Sequence, residues 1–419
     1  MYVAAMVAGA SAADDDMTAV ASRLAAVCDM IQEHRKSGTA ICNADVYAMI
    51  DDVAAAAEDE GRPTAGMRER RMDSACLSYE EVGDDVDLGV GAFGVVVRAR
   101  HRVTGEAVAV KSLHPECGHG GGLGRLLREA CFMAACGGHP SLVTLRGVTR
   151  MTGITMEEDY SLVMEYVGPN LLDVLQARGR PFPEADVRAI MRQLLAGAEE
   201  MHRNGIVHRD IKCENILVGH GGAVKICDFG TAKSMAERNP PDVIAGTMEY
   251  MAPEVLVKNT DHDMGVDAWS LGCVMAELLT GELLFRGEDE TDQLYDIFDV
   301  LGVPDERVWQ ALRPRSWALA GEVRQWRARQ QQTQHRNRLR ELLPDELLSY
   351  DGFEVLKGLL TCDPRRRMTA AAALRCPWFT DNVEDAGVPA TAVSMIDATA
   401  KRHFVHRPHN RFAGRAMSL

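Results

Sequence analysis

The stretch that most constrains this chain is His208-Arg209-Asp210-Ile211-Lys212-Cys213-Glu214-Asn215, followed thirteen positions after Asn215 by Asp228-Phe229-Gly230. Ile206-Val207 before it, Ile216-Leu217-Val218 after it and Val224-Lys225-Ile226 read as short strands. Gly219-His220-Gly221-Gly222 reads as the turn between the last two. A polar hairpin loop that happens to carry these residues is the competing reading. The remainder of the chain has to decide between them.

Upstream, Leu88-Gly89-Val90-Gly91-Ala92-Phe93-Gly94-Val95-Val96 spells G-x-G-x-x-G-x-V. Glycines let a strand-turn-strand bend close over phosphate groups, where any Cβ would hold the backbone away. Dinucleotide-binding folds share G-x-G-x-x-G but open a helix after it. Here Val95-Val96-Val97 continues as strand. The next strand carries Ala107-Val108-Ala109-Val110-Lys111, and Arg125 to Ala135 is helical with Glu129 eighteen residues after Lys111. Thr231 to Tyr250 is closed by Ala252-Pro253-Glu254. These stretches, in this order, resemble the eukaryotic protein kinases of serine/threonine type. The resemblance implies an α+β, bilobal protein-kinase fold, with a β-rich N-lobe and a mainly helical C-lobe.

The resemblance also implies roles. Phosphoryl transfer asks a protein for an aligned nucleophile and neutralised phosphate charge. Asp210 is then the base and Lys212 meets the transferring group, with Thr247 bonding both. Asn215 and Asp228 are the metal residues, offering hard oxygen ligands suited to Mg²⁺. ATP is expected against Gly89, Val90, Gly91, Ala92, Phe93, Gly94, Val96 and Ala109, with Lys111 on its phosphates and Glu129 pairing that lysine. Met133, one turn after Glu129, would stack towards Phe229. Ser161 to Val167 reads as the strand into the interlobe hinge, with Met164 at the back of the pocket and main-chain groups of Glu165 and Val167 on the adenine. Pro183 to Asn204 is a helix whose core face is Val187, Ile190, Met191, Leu194, Leu195, Ala198 and Met201. Asp267 would support the catalytic loop, and Arg367 would pair a buried Glu254. Cys227, just before Asp228, reads as a packed thiol at the nucleotide pocket.

Leu283 to Gly287, Asp292 to Phe298 and Leu301-Gly302-Val303-Pro304-Asp305 resemble the cyclin-dependent kinases. A cyclin is thus a candidate partner, although the helix around Gly122 to Glu129 keeps only Arg128-Glu129 of that branch's cyclin-facing signature. Ala92 and Phe93 stand where the branch carries inhibitory Thr and Tyr sites, so neither can accept phosphate. Asp242 falls at the activating phosphothreonine, with Arg128, Arg209 and Lys233 matching the basic clasp. A carboxylate there would give activity without phosphorylation of that segment. Met251 replaces an arginine before Ala-Pro-Glu, and Gly246 can supply the left-handed backbone of a proline-selecting pocket.

The kinase region is read as residues 79–379 of the 419. Residues 1–78 read as an acidic, Ala-rich, weakly ordered extension with helical spacing near 17–35 and 43–57, a short helical module for docking a partner being the alternative. Arg313 to Leu343 reads as a solvated helical insert, and 380–419 as a tail that becomes basic and His-rich from Lys401. A formal net charge of −15 speaks against general nucleic-acid or anionic-membrane binding. No apolar run reaches the length of a membrane span. Met1 to Ala13 lacks the basic residues of a cleaved leader. The 11 cysteines contain no CxxC pair, as in an intracellular, reduced protein. Nucleus and cytoplasm are the expected locations, and serine/threonine protein substrates the expected partners. A nucleotide-binding scaffold without turnover is the rival; no catalytic Lys, Asp or Asn is missing to signal it.

Overall fold

The computed structural model describes residues 79–81, 87–91, 94–113, 122–152, 158–235, 245–259, 261, 263–312, 321 and 337–380. The expected helices near 17–35 and 43–57, the tail after 380, Ala92, Phe93, Asp242 and most of the insert lie outside them.

The N-terminal part is a six-stranded antiparallel sheet. Its strands are β1 (Tyr79–Glu81), β2 (Asp87–Gly91), β3 (Gly94–His101), β4 (Ala107–Leu113), β5 (Leu145–Thr152) and β6 (Glu158–Glu165). The order is β1-β3-β4-β6-β5, and β2 pairs with β3 through Gly91↔Gly94. Helix α1 (Gly122–Ala135) sits between β4 and β5 in the chain. The expected continuation of Val95-Val96-Val97 as strand is observed, and it excludes the dinucleotide-binding alternative.

Register sorts the side chains. Val96 faces Lys111 across β3 and β4, and Ala109 faces Met164 across β4 and β6. Residues two apart on a strand share a face, and directly paired residues do too. Val96, Ala109, Lys111, Leu162 and Met164 therefore occupy one face of the sheet. The opposite face buries Ala99, Val108, Val110 and Val163 as a separate small core.

The C-terminal part is helical. Helix α2 (Leu171–Arg178) starts on Asn170, whose side chain accepts from the Asp173 N–H, and ends on Gly179 at φ 65°. Helix α3 (Glu184–Arg203) buries the apolar face read from its sequence, from Val187 to Met201. Helix α4 (Gly265–Thr280) is buried from Val266 to Leu279, an all-round apolar helix at the centre of the lobe. Around it lie α5 (Glu290–Leu301), capped by Asp289, and α6 (Tyr350–Leu359), capped by Ser349.

Between α3 and α4 runs the segment that constrained the sequence reading. It holds β7 (Ile206–Val207), β8 (Ile216–Val218), β9 (Val224–Ile226) and β10 (Lys233–Ser234). β8 and β9 form the expected hairpin around a turn at His220–Gly222, while β7 pairs with β10. The main core runs on from the sheet's inner face through α1 to α3 and α4. Among the described residues of the insert, Leu339–Leu342 forms a turn of helix, as expected. Among the described residues no helix is long and apolar enough to cross a membrane.

Candidate active site

Lys111 reaches the site from the middle of β4. Its Nζ donates to both oxygens of Glu129 on α1, at 2.8 and 2.9 Å, and to Oδ1 of Asp228 at 2.7 Å. Lys111 is 7% and Glu129 5% exposed, whereas 45% of the Asp228 side chain is open. Burial acts to lower the Lys111 pKa, but the two carboxylates outweigh it and hold the ammonium above its usual range. Burial pushes the Glu129 carboxyl up against the pull of Lys111. For Asp228, Lys111 overcomes burial and keeps the carboxyl low, hence ionised.

Gly230 makes this approach feasible. A Cβ there would lie 3.2 Å from Asp228 Oδ1, 3.4 Å from Glu129 Oε2 and 3.5 Å from Lys111 Nζ. Asp228 itself takes φ 64°, a left-handed conformation that Asp tolerates better than most residues, and accepts from the Gly230 N–H. Phe229 is buried against the His208 ring, with centroids 5.2 Å apart. Met133 is buried in the same core.

The loop from His208 to Asn215 is held from below. Asp267 on α4 accepts from the N–H groups of His208 and Arg209, each at 2.9 Å, and from His202 Nε2 at 2.9 Å. These bonds overcome burial and hold its carboxyl below the usual range. Arg209 sits at φ 71°, a conformation costing about 1–3 kcal/mol for a residue with a Cβ. Its N–H to Asp267 and its Nε to the Thr231 carbonyl, 2.6 Å, hold it there. His208 accepts from the Asp210 N–H and donates to the Cys227 carbonyl.

Asp210 then projects into a polar cluster. Thr247 Oγ1 donates to Asp210 Oδ1 at 2.7 Å, and Lys212 Nζ donates to the same hydroxyl at 2.6 Å. Lys212 Nζ also lies 3.3 Å from Asp210 Oδ2. Asn215 donates Nδ2 to the Asp210 carbonyl and to Oδ2, at 2.9 and 3.1 Å, so its amide oxygen faces elsewhere. The structure thus brings Asp210, Lys212, Thr247 and Asn215 together as one group, and Lys111, Glu129 and Asp228 as a second.

Among the described residues no group of three or more His, Cys, Asp or Glu converges as a metal cage. The donor set nonetheless suits a hard cation: an ionised, half-open carboxylate (Asp228) and an amide oxygen (Asn215). A hard cation of the Mg²⁺ kind needs few protein ligands when water and phosphate oxygens complete its shell.

The apolar side of the cleft is the shared face of Val96, Ala109 and Met164. Gly89 and Gly94 flank it on β2 and β3. Val90 and Gly91 lie on β2, and Val167 is half-buried where β6 has ended. The Glu165 N–H is taken by the Thr144 carbonyl, so of its main-chain groups the carbonyl is the one to offer a ligand. Its carboxylate is engaged as well, accepting from the Thr144 N–H at 2.8 Å and from Lys225 at 2.7 Å. Burial pushes the Cys227 thiol well up, in keeping with a packed, inert thiol.

Glu254 and Arg367 form the expected buried pair through two bonds of 2.6 and 2.8 Å. Gly246 has φ 122°, and a Cβ there would meet the Arg209 carbonyl oxygen at 2.5 Å. The Met251 methyl lies 3.5 Å from that same point. Of the basic clasp, Arg128 stacks over Phe132 and Lys233 is buried. Sequence reading missed the roles of His202, Lys225, Tyr250 and Glu277. They are ordinary polar letters within apolar helices and strands, and only the fold gives them partners.

Compared with known proteins, the chain matches the protein kinase domain family over residues 83–379. A protein of Oryza sativa subsp. japonica assigned to the cyclin-dependent kinases as F-2 is 48% identical over 331 residues, covering 77% of this chain and 95% of the relative. Cyclin-dependent kinase G1 of Arabidopsis thaliana is 35% identical, over 77% of this chain and 52% of its own length. Cyclin-dependent kinase 11B of Homo sapiens is 34% identical, over 73% and 37%. The chain therefore aligns with nearly all of the first relative and with about half or less of the other two.

Proposed function

The chain belongs to the protein kinase family, and from that premise we propose how its residues divide the work of phosphate transfer. It is a cyclin-dependent-kinase-like protein serine/threonine kinase that moves the γ-phosphate of ATP to hydroxyls of protein substrates. The observation that carries the reading is the convergence of Lys111, Glu129 and Asp228, from a strand, a helix and a loop far apart in sequence. A lysine so buried and so strongly held charged suits the phosphates of a nucleotide lying under Val96, Ala109 and Met164.

Mg²⁺ is the divalent cation assigned to Asp228 and Asn215, on the strength of their oxygen donors. When bound, Mg²⁺ and ATP supply the phosphoryl group and neutralise its charge. The chain's own residues do the rest. Asp210 orients the acceptor hydroxyl and takes its proton at a carboxylate oxygen. Thr247 fixes that carboxylate and Lys212 in one geometry, so neither has to reorganise as charge develops. Lys212 offsets the negative charge that appears beside it. Glu129 keeps Lys111 extended.

A cyclin remains the candidate activating partner, through α1 with its Arg128-Glu129 pair. An intracellular setting, nuclear or cytoplasmic, fits the thiol-rich sequence and the basic tail. The test is phosphate transfer by the purified chain with Mg-ATP and a mixed Ser/Thr peptide library. Asp210→Asn should lower turnover by roughly 10²–10⁴, the range for a lost general base. Equal activity in that variant would refute the assignment.

A further inference from the structure

We propose that Arg98, stacked on Tyr166, closes the base end of the nucleotide cleft and binds the nucleoside there. This deepens the proposed function and rests on the reading that Val96, Ala109 and Met164 face the nucleotide.

Register places Arg98 on that face. It pairs with Ala109 across β3 and β4, and Ala109 pairs with Met164 across β4 and β6. Paired residues share a face, so Arg98, Ala109 and Met164 form one row. Val96, Lys111 and Leu162 form the neighbouring row, about 7 Å away along the strands. Lys111 marks the phosphate end, so Arg98 stands one row beyond it, level with the apolar residues assigned to the base. It is the charged member of an otherwise apolar row. Among the described residues no carboxylate pairs with it; its guanidinium carbon lies 4.5 Å from the centre of the Tyr166 ring.

That ring is a fixed platform. Glu165, just before it, accepts from Lys225 at 2.7 Å and from the Thr144 N–H at 2.8 Å. Just after it, the Pro169 carbonyl accepts from the Val218 N–H at 2.8 Å. Gly168 takes φ 157°, where a Cβ would lie 2.2 Å from the Val218 carbonyl oxygen, so the chain leaves tight against β8. The stack thus ties β3 of the sheet to the segment that enters the helical part. Both side chains are half-buried, which favours attraction between the cation and the ring. The N–H donors of Arg98, unclaimed by any carboxylate, are left for the ring nitrogens and ribose hydroxyls of a nucleoside.

The test is kinetics with ATP and peptide varied separately, together with inhibition by adenosine, which carries no phosphate. Arg98→Ala should raise the ATP KM about three- to tenfold, with kcat and the peptide KM within about twofold of wild type. The adenosine inhibition constant should rise by the same factor. Tyr166→Phe keeps the ring face and should match wild type. Tyr166→Leu should reproduce the loss, and adding Arg98→Ala to it should cost little more. Arg100→Ala removes an exposed arginine one row further along the same face and should change neither constant. An ATP KM raised with adenosine unaffected would place Arg98 on phosphate and overturn the proposal. Multiplicative losses in the double variant, or an equal loss in Arg100→Ala, would overturn it too. A wild-type chain that neither transfers phosphate nor binds adenosine would refute the site assignment along with it. An active wild type matched by Arg98→Ala would refute this inference alone.

Discussion

Lys111 shows how much of the site is decided by one side chain. Its ammonium is nearly sealed from water and shared between Glu129, which is buried, and Asp228, which is half open. Replacing it with Met removes the cation from both. Glu129, already pushed up by burial, can then take a proton and remain in place as a neutral acid. Lys111→Met should therefore stay folded while turnover falls roughly 10²–10³-fold, the scale of one lost preorganised electrostatic contact. Turnover and thermal unfolding of the same preparation check it. A variant within tenfold of wild type would remove Lys111 from the machinery. The residues of this group were legible in the sequence because each lies in a stretch that resembles the protein kinases. The carboxylate of Glu165 was not, because its partners Thr144 and Lys225 come from separate elements and leave no local pattern.

At the scale of elements, the Thr231–Tyr250 segment closes in a turn at Met248–Tyr250 and is followed by a buried ion pair at Glu254. Arg367 gives two bonds to Glu254, one each to the Thr361 and Gly265 carbonyls, and stacks over Trp269 with its carbon 5.1 Å from the ring centre. Removing one partner strands a buried charge, which costs about 3–5 kcal/mol. Glu254→Ala should lower stability by that much in urea unfolding. The pair Glu254→Leu with Arg367→Met should recover only part of it, because the Thr361 and Gly265 carbonyls lose their donor as well. Full recovery would mean that those main-chain bonds contribute nothing. The strands and the long helices could be read from the sequence through hydrophobic period, and this pair through the resemblance to the kinases, since its members lie 113 positions apart. The left-handed turn at Arg209 and the β7–β10 pairing could not. Both are imposed by Asp267 and by chain closure, not by neighbouring residues.

At the scale of the molecule, the residues assigned to nucleotide and cation come from both lobes and meet at the Lys111–Asp228 contact. Lys111 and Glu129 come from the sheet and α1; Asp228 and Asn215 come from the segment between α3 and α4. A ligand touching both groups must stabilise the whole fold by mass action, about 2.7 kcal/mol at a hundred times its dissociation constant. A non-hydrolysable ATP analogue with Mg²⁺ should therefore raise the thermal midpoint, and removing the cation with EDTA should return part of the increase. Asp228→Asn separates the two contributions. It leaves Lys111 paired with Glu129, so stabilisation by the analogue alone should persist, while the Mg²⁺-dependent increment should disappear. The carboxylate is ionised and open in the wild type, and an amide cannot replace its charge toward a hard cation. An unchanged Mg²⁺ increment in Asp228→Asn would move the metal elsewhere. Loss of the nucleotide increment as well would mean that Asp228 acts on Lys111 more than on the cation.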